Sequence, residues 1–245
     1  MSDGIEKRLA IQSWCFRRMK TNADVISALR SCGASAVELS NVHVNPLAAD
    51  YAQAIKEYAN AGIAIASFGV QRFDADAQKG RKTFEFARAA GIKVINSTFG
   101  PGGLEMTEKL CKEFGIKVML HNHGRHDVYG SVYAIEDLFK RSSENVGLCL
   151  DTAWMLDSGD DPLEVAKRFR QRLYGLHIKD FVFDRAGRPH DCIVGTGNLN
   201  LNGLAAFLKE TRYDGMLTLE YEGDENNPVP ATKQCVQAVK AAFSK

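Results

Sequence analysis

The chain lacks any run of the roughly 18 uninterrupted apolar residues that a bilayer crossing requires. Its amino terminus, MSDGIEKRLA, lacks the apolar core of a signal peptide, so a cytoplasmic location with no membrane partner is expected. An excess of charge of either sign is also missing. The net charge is +1 and no long basic stretch occurs, which argues against nucleic acid as a partner. The six cysteines (Cys15, Cys32, Cys111, Cys149, Cys192 and Cys235) are scattered without CxxC spacing, against both a zinc knuckle and a dithiol redox pair. Cys32, Cys111 and Cys149 sit in apolar surroundings and read as core packing. No GxGxxG follows the first strand-like run, which removes the main support for an open dinucleotide-binding sheet. No Pro/Ser-rich linker or shift of composition divides the sequence, so residues 1–245 read as one domain.

What is present is a soluble, core-forming composition, 45% hydrophobic and 25% charged, in a chain of 245 residues. That length is ordinary for an eight-fold barrel, which typically takes about 250 residues. A repeated punctuation runs through the first half: a helical stretch, a glycine, then an apolar run, at Gly33, Gly62, Gly91 and Gly115. Glycine just past a helix end closes the helix in the left-handed conformation, so each marks a helix-to-strand junction. Reading outward from these junctions gives strands near 9–14, 35–39, 63–68, 92–97, 116–121, 146–151, 173–178 and 216–221. Helical periodicity fills 22–31, 47–61, 75–90, 131–141, 162–171 and 201–211, with a shorter helix at 104–114. Asp161-Pro162 and Asn200 or Asn202 are helix-entry signals. Eight alternating strand and helix units predict an α/β fold, a single (β/α)8 TIM barrel with a parallel sheet. The long polar stretch 181–200 follows the seventh strand and reads as a substrate loop.

In such a barrel the carboxyl ends of all strands open onto one face. Four successive strand-like runs end on side chains able to bind a metal: His121, Asp151, His177 and Glu220. Two imidazoles and two carboxylates suit a divalent ion of intermediate hardness, with Mn²⁺ favoured and Co²⁺, Zn²⁺ or Mg²⁺ as alternatives. Strand alternation points His121 and His123 the same way, as it does His177 and Lys179, and Glu220 and Glu222. His121 lies deeper along its strand and is taken as the ligand, with His123 as a supporting or substrate group; the opposite order is the alternative.

The run Gly115-Ile116-Lys117-Val118-Met119-Leu120-His121-Asn122-His123 comes with His177-Ile178-Lys179-Asp180, Gly195-Thr196-Gly197-Asn198-Leu199 and Leu219-Glu220-Tyr221. With Ala36-Val37-Glu38-Leu39, these segments resemble in order and spacing the xylose isomerase-like barrel superfamily. That superfamily includes sugar isomerases, ketose 3-epimerases, hydroxypyruvate isomerases and inosose dehydratases. The resemblance implies a metal held at the ends of strands five to eight by Glu, Asp, His and Glu. Asp151, His177 and Glu220 match three of these positions, and His121 stands where many relatives carry glutamate. In the epimerase scheme two glutamates work as an acid/base pair, and that pair is incomplete here.

The expectation is therefore a divalent-metal-dependent isomerase or epimerase acting on a small keto sugar through an enediolate, with Glu220 as base and His121 or His123 as partner. Loss of a β-hydroxyl or β-alkoxyl from the same intermediate would make it a dehydratase or lyase. Glu38 could bind substrate hydroxyls, act as a second acid or base, or form a strand-end salt bridge. Trp14 and Trp154 could stack on a sugar or pack in the core, and Lys179 could balance an anionic substrate or Asp180. Arg188 resembles a substrate-contacting arginine of hydroxypyruvate isomerases, although Pro189 alters the local pattern. His43 and His126 read as surface loop residues. The resemblance also implies frequent pairing into homo-oligomers. Apurinic-site nucleases on a related barrel need more metal ligands and a basic face, and neither is evident here. A sugar-binding protein without catalysis would not need the Asp151, His177 and Glu220 set.

Overall fold

The computed structural model describes residues 8–48 and 50–244. Its elements run β1 (Leu9–Gln12), α1 (Asn22–Ser31), β2 (Ala36–Leu39), α2 (Tyr51–Asn60), β3 (Ala64–Phe68), β4 (Gln71–Phe73) and α3 (Ala77–Ala89). They continue with β5 (Val94–Phe99), α4 (Gly103–Phe114), β6 (Lys117–His121), α5 (Val132–Lys140), β7 (Val146–Asp151), α6 (Thr152–Asp157) and α7 (Pro162–Arg168). The last third holds β8 (Leu173–Ile178), β9 (Phe181–Phe183), β10 (Pro189–Asp191), α8 (Leu201–Glu210), β11 (Met216–Leu219) and α9 (Pro228–Ser244).

Nine strands form one parallel sheet in the order β3-β2-β1-β11-β8-β7-β6-β5-β4. Its two ends, β3 and β4, are separated in sequence only by Gly69 and Val70, so the sheet curls into a nearly closed barrel through one interrupted strand. Counting β3 and β4 as one position gives the eight-fold (β/α) barrel expected. Helices cover the outer face, which is why a central strand such as β7 is buried along its whole length.

Local signals account for most boundaries. Gly33, Gly62, Gly91 and Gly115 all adopt positive φ just past α1, α2, α3 and α4, as the punctuation predicts. The Asn200 side chain accepts from the Gly203 N–H at the start of α8, and Asp161 accepts from Leu163 with Pro162 in the first turn of α7. Four differences from the sequence reading stand out. The α4 helix is a full 12 residues. The α6 turn, which the apolar run alone does not announce, starts on Asp151 as its cap. The first strand ends at Gln12 and gives way to a 3₁₀ turn over Ser13–Phe16, which places Trp14 in the turn. The 181–200 loop contains an antiparallel hairpin of β9 and β10.

The interruption of the third strand is tied to one close approach. A Cβ at Gly69 would lie 2.8 Å from the Asn96 carbonyl oxygen, and nearer still to the Asn96 Cβ. Gly69 N–H donates to Leu39 O (2.8 Å) while its carbonyl accepts from Gln12 Nε2 (3.2 Å), so the backbone has no freedom to retreat. Gly69→Ala is expected to destabilise the protein by about 1–3 kcal/mol through overpacking. A urea midpoint unchanged from that of the parent would show that the barrel relaxes at this seam.

Candidate metal centre

The site grows out of strand alternation. Met119 on β6, Cys149 on β7 and Gly175 on β8 face the barrel interior, where a Cβ on Gly175 would lie 2.6 Å from Met119 Sδ. Two residues further along each strand the same face presents His121, Asp151 and His177, and Glu220 follows the end of β11. Asp151 and His177 are register partners across β7 and β8. The carboxyl-end layer of the barrel is thus built of four polar, buried side chains.

One ligand atom from each of the four lies within 4.8 Å of every other. His121 Nε2 is 3.1 Å from His177 Nδ1 and 3.5 Å from Asp151 Oδ2, and His177 Nδ1 is 3.3 Å from Glu220 Oε2. Donor atoms bonded at about 2.0–2.2 Å to one central ion would be spaced by about this much. Asp151 Oδ2 is buried and has no hydrogen-bond partner, while Oδ1 of the same carboxylate accepts from the Trp154 N–H at 2.8 Å. A buried carboxylate oxygen with no donor is costly unless something positive meets it. The group can hold a metal ion.

The surroundings orient these atoms. Glu38 Oε1 lies 3.0 Å from His177 Nε2 and accepts its proton, so Nδ1 would turn its lone pair to a bound ion. In the metal-free group Nδ1 faces Glu220 Oε2, and although burial acts against it, Cys149, Glu38 and Glu220 raise the proton affinity of the ring. Glu38 is itself held by Gln12 Nε2 (2.7 Å) and Asn96 Nδ2 (2.8 Å), and all three side chains are buried. Asn122 exchanges two hydrogen bonds with the Asp151 backbone, fixing the end of β7. Burial pushes the Asp151 carboxyl up to about 7, with Lys179 opposing and Glu220 reinforcing the shift. Burial also lowers the proton affinity of His121, and the adjacent His177 lowers it further. Lys179 is 1% exposed and has its ammonium on Glu222, with Glu220 and Asp191 each at 3.8 Å. Burial alone would favour the neutral amine, but these carboxylates outweigh it and the lysine stays charged.

A cavity of about 350 Å³ opens above the group, lined in part by Gln12, Trp14, Ser40, His121, His123, Trp154, Glu220 and Glu222. His123 is outside the four-residue group, its ring 4.7 Å from that of His121. Trp14 and Trp154 both face the cavity, and Trp14 Nε1 donates to Glu222 Oε2 at 3.0 Å. Glu38 lies beneath the cavity wall against His177. Arg188 is not brought to the cavity: it sits on the exposed hairpin with its Nε 2.7 Å from Asp184 Oδ2. The Gly195-Thr196-Gly197 segment wraps Asp180, whose carboxylate accepts from the N–H groups of Gly195, Gly197, Asn198 and Leu199, all at 2.9 Å. That cage anchors the 181–200 segment. His43 is not a free surface residue, since its ring bridges Ser13 Oγ and the Phe16 carbonyl.

Gln12 and Asn96 were not among the sequence candidates, although each lies on a strand of the barrel interior. Glu38→Gln removes the charge that fixes the His177 ring while keeping the side chain's shape. Its expected effect is a loss of about 10–100-fold in divalent-metal affinity with the fold retained. Calorimetric titration with Mn²⁺ checks this, and unchanged affinity would reduce Glu38 to a packing role.

The profile of the xylose isomerase-like TIM barrel family matches residues 26–242. The chain belongs to this family. An inosose dehydratase of Lacticaseibacillus casei is 24% identical over 136 residues, covering 50% of this chain and 46% of that protein. A rhizopine catabolism protein of Rhizobium meliloti is 28% identical over 142 residues, covering 52% of this chain and 43% of its own length. The matched region thus spans a little under half the length of these curated relatives. Among solved structures, L-ribulose 3-epimerase superposes with a TM-score of 0.79 at 16% identity, covering 97% of this chain and 94% of its own. Among the described residues no helix is long and apolar enough to cross a membrane.

Proposed function

We propose that this family member is a divalent-metal-dependent enzyme that removes a proton next to the carbonyl of a small keto sugar. The observation that carries the reading is the convergence of His121 Nε2, His177 Nδ1, Asp151 Oδ2 and Glu220 Oε2 in one buried group, of which His121 and Glu220 line the cavity. A divalent ion held there, Mn²⁺ by preference, would polarise the substrate carbonyl and acidify the neighbouring C–H. Glu220 lines the cavity and serves as the base. Lys179 and His177 flank its Oε2, and although burial acts in the other direction, they keep the carboxylate ionised. His123 also lines the cavity and is the imidazole free to shuttle the second proton.

Returning that proton to carbon gives isomerisation or epimerisation of the substrate. Delivering it to a leaving β-hydroxyl gives dehydration. The second reading is favoured by the inosose dehydratase relatives and by the imidazole of His123 beside the cavity. Both begin with the same proton abstraction. Incubation of Mn²⁺-loaded protein with ketoses and inososes in D₂O should therefore incorporate deuterium beside the carbonyl, read by NMR, with loss of water from the product if elimination follows. Absence of both exchange and product across these compounds would sink the reading.

A further inference from the structure

Glu222 stands outside the four-residue group, yet every polar group it carries is engaged. Its N–H donates to Asp191 Oδ1 (3.0 Å) on β10, and its carbonyl accepts from Arg17 (2.8 Å) at the end of the 3₁₀ turn. Its Oε2 accepts from Trp14 Nε1 (3.0 Å), and its Oε1 takes the Lys179 ammonium. Arg17 closes the junction, since its guanidinium also lies 5.6 Å over the Trp14 ring and 3.4 Å from Glu225. Three neighbouring segments thus fix one carboxylate.

Lys179 is the partner with a choice. Its backbone is held by Thr152, whose Oγ1 receives the Lys179 N–H (3.0 Å) and donates to the Lys179 carbonyl (2.6 Å), so only the side chain can move. Besides Glu222, the ammonium faces the rings of Trp154 and Phe181 at 5.4 Å each and the carboxylates of Glu220 and Asp191 at 3.8 Å each. Burial works against its charge; among these three carboxylates Glu220 offsets that most and Asp191 least. An ammonium released by Glu222 is therefore drawn to Glu220. A charge-assisted contact at about 2.8 Å lies only about 1 Å away from its present position. The atom it would reach, Glu220 Oε2, is the one that faces His177 Nδ1 at 3.3 Å within the four-residue group.

We infer that Glu222 is a positioning residue that holds the Lys179 ammonium off Glu220 Oε2. The ammonium then balances the Glu220 charge across 3.8 Å without occupying the lone pair that must bind an ion or accept a substrate proton. The inference rests on the reading of Glu220 as ligand and base given above, and adds what keeps that oxygen free.

A double-mutant cycle tests it, with Mn²⁺ affinity measured by calorimetry for the parent, Glu222→Gln, Lys179→Met and the double variant. Glu222→Gln keeps the shape of the side chain and an oxygen for Trp14 while losing the charge. Mn²⁺ binding should weaken by about 10–100-fold, because the ammonium now competes for Glu220 Oε2. Loss of a nearby negative charge weakens ion binding with or without Lys179, so the coupling decides. Lys179→Met should restore at least about tenfold more affinity in the Glu222→Gln background than it adds to the parent. Additive effects of the two substitutions would overturn the inference. A crystal structure of metal-free Glu222→Gln gives a readout independent of the ion, with Lys179 Nζ expected about 2.8 Å from Glu220 Oε2. Retention of the 3.8 Å separation would equally overturn it. Glu222→Met, which has no acceptor at all, is a second variant with the same expectations. Absence of Mn²⁺ uptake by the parent would defeat the metal-dependent reading, while the position of Lys179 in the variant crystal still decides this one.

Discussion

Asp151→Asn is expected to leave the barrel folded and to abolish stoichiometric binding of a divalent ion. The two oxygens of this carboxylate have separate duties. Oδ1 accepts from the Trp154 N–H and caps α6, a bond that an asparagine oxygen can keep, whereas Oδ2 is the buried oxygen without a partner. Alanine would also remove the cap, at about 1 kcal/mol, and blur the comparison. In the metal-free protein the ionised carboxylate is poorly solvated, so the neutral amide should leave stability unchanged or raise it. The difference appears when metal is added. At an ion concentration of about 100 times Kd the parent gains about 2.7 kcal/mol, and the variant should gain almost none. Because the Asp151 carboxyl is pushed up to about 7, ion binding must displace its proton at neutral pH and below. Affinity in the parent should fall by at least about tenfold per unit as the pH drops below 7 and the Asp151 carboxyl takes up its proton. A metal-induced rise in Tm that survives in the variant would remove Asp151 from the ligand set.

Glu220→Gln should suppress proton exchange beside the substrate carbonyl by at least about 10²–10⁴-fold. The amide keeps the volume of the side chain but can neither accept the proton nor balance Lys179, whose ammonium is 3.8 Å from Glu220 Oε2. Because the same residue belongs to the four-residue group, the comparison must be made at saturating Mn²⁺, where weakened metal affinity no longer limits the rate. Exchange close to that of the parent under those conditions would assign the base to another side chain. The companion variant His123→Gln should spare the first exchange step and slow product formation, separating the two protons.

The four-residue group was legible in the sequence because it obeys short-range rules. Each of β6, β7, β8 and β11 is an apolar run that stops on or beside a ligand-type residue, and parallel strands put such stops on one face. The Glu38, Gln12 and Asn96 network was not legible in the same way. It joins His177 to a residue 139 positions earlier, and the partners meet only when β1, β2, β5 and β8 have closed around one axis. The break of the third strand was hidden because Ala64–Phe68 already reads as a complete strand, while the three-residue β4 is too short to show alternation. The 181–200 stretch read as a loop, and its β9–β10 hairpin was hidden because three-residue strands are too short to show alternation; its glycine turn is explained by the buried Asp180 carboxylate that it encloses. His43 looked like a loop residue for a similar reason, since its two partners, Ser13 and Phe16, lie on a different strand connection.

The most direct measurement is a calorimetric titration of chelator-treated protein with Mn²⁺, run alongside Asp151→Asn. One ion per chain is expected in the parent, with proton release on binding near neutral pH, and no stoichiometric binding in the variant. Absence of binding by the parent, or equal binding by both proteins, would contradict it.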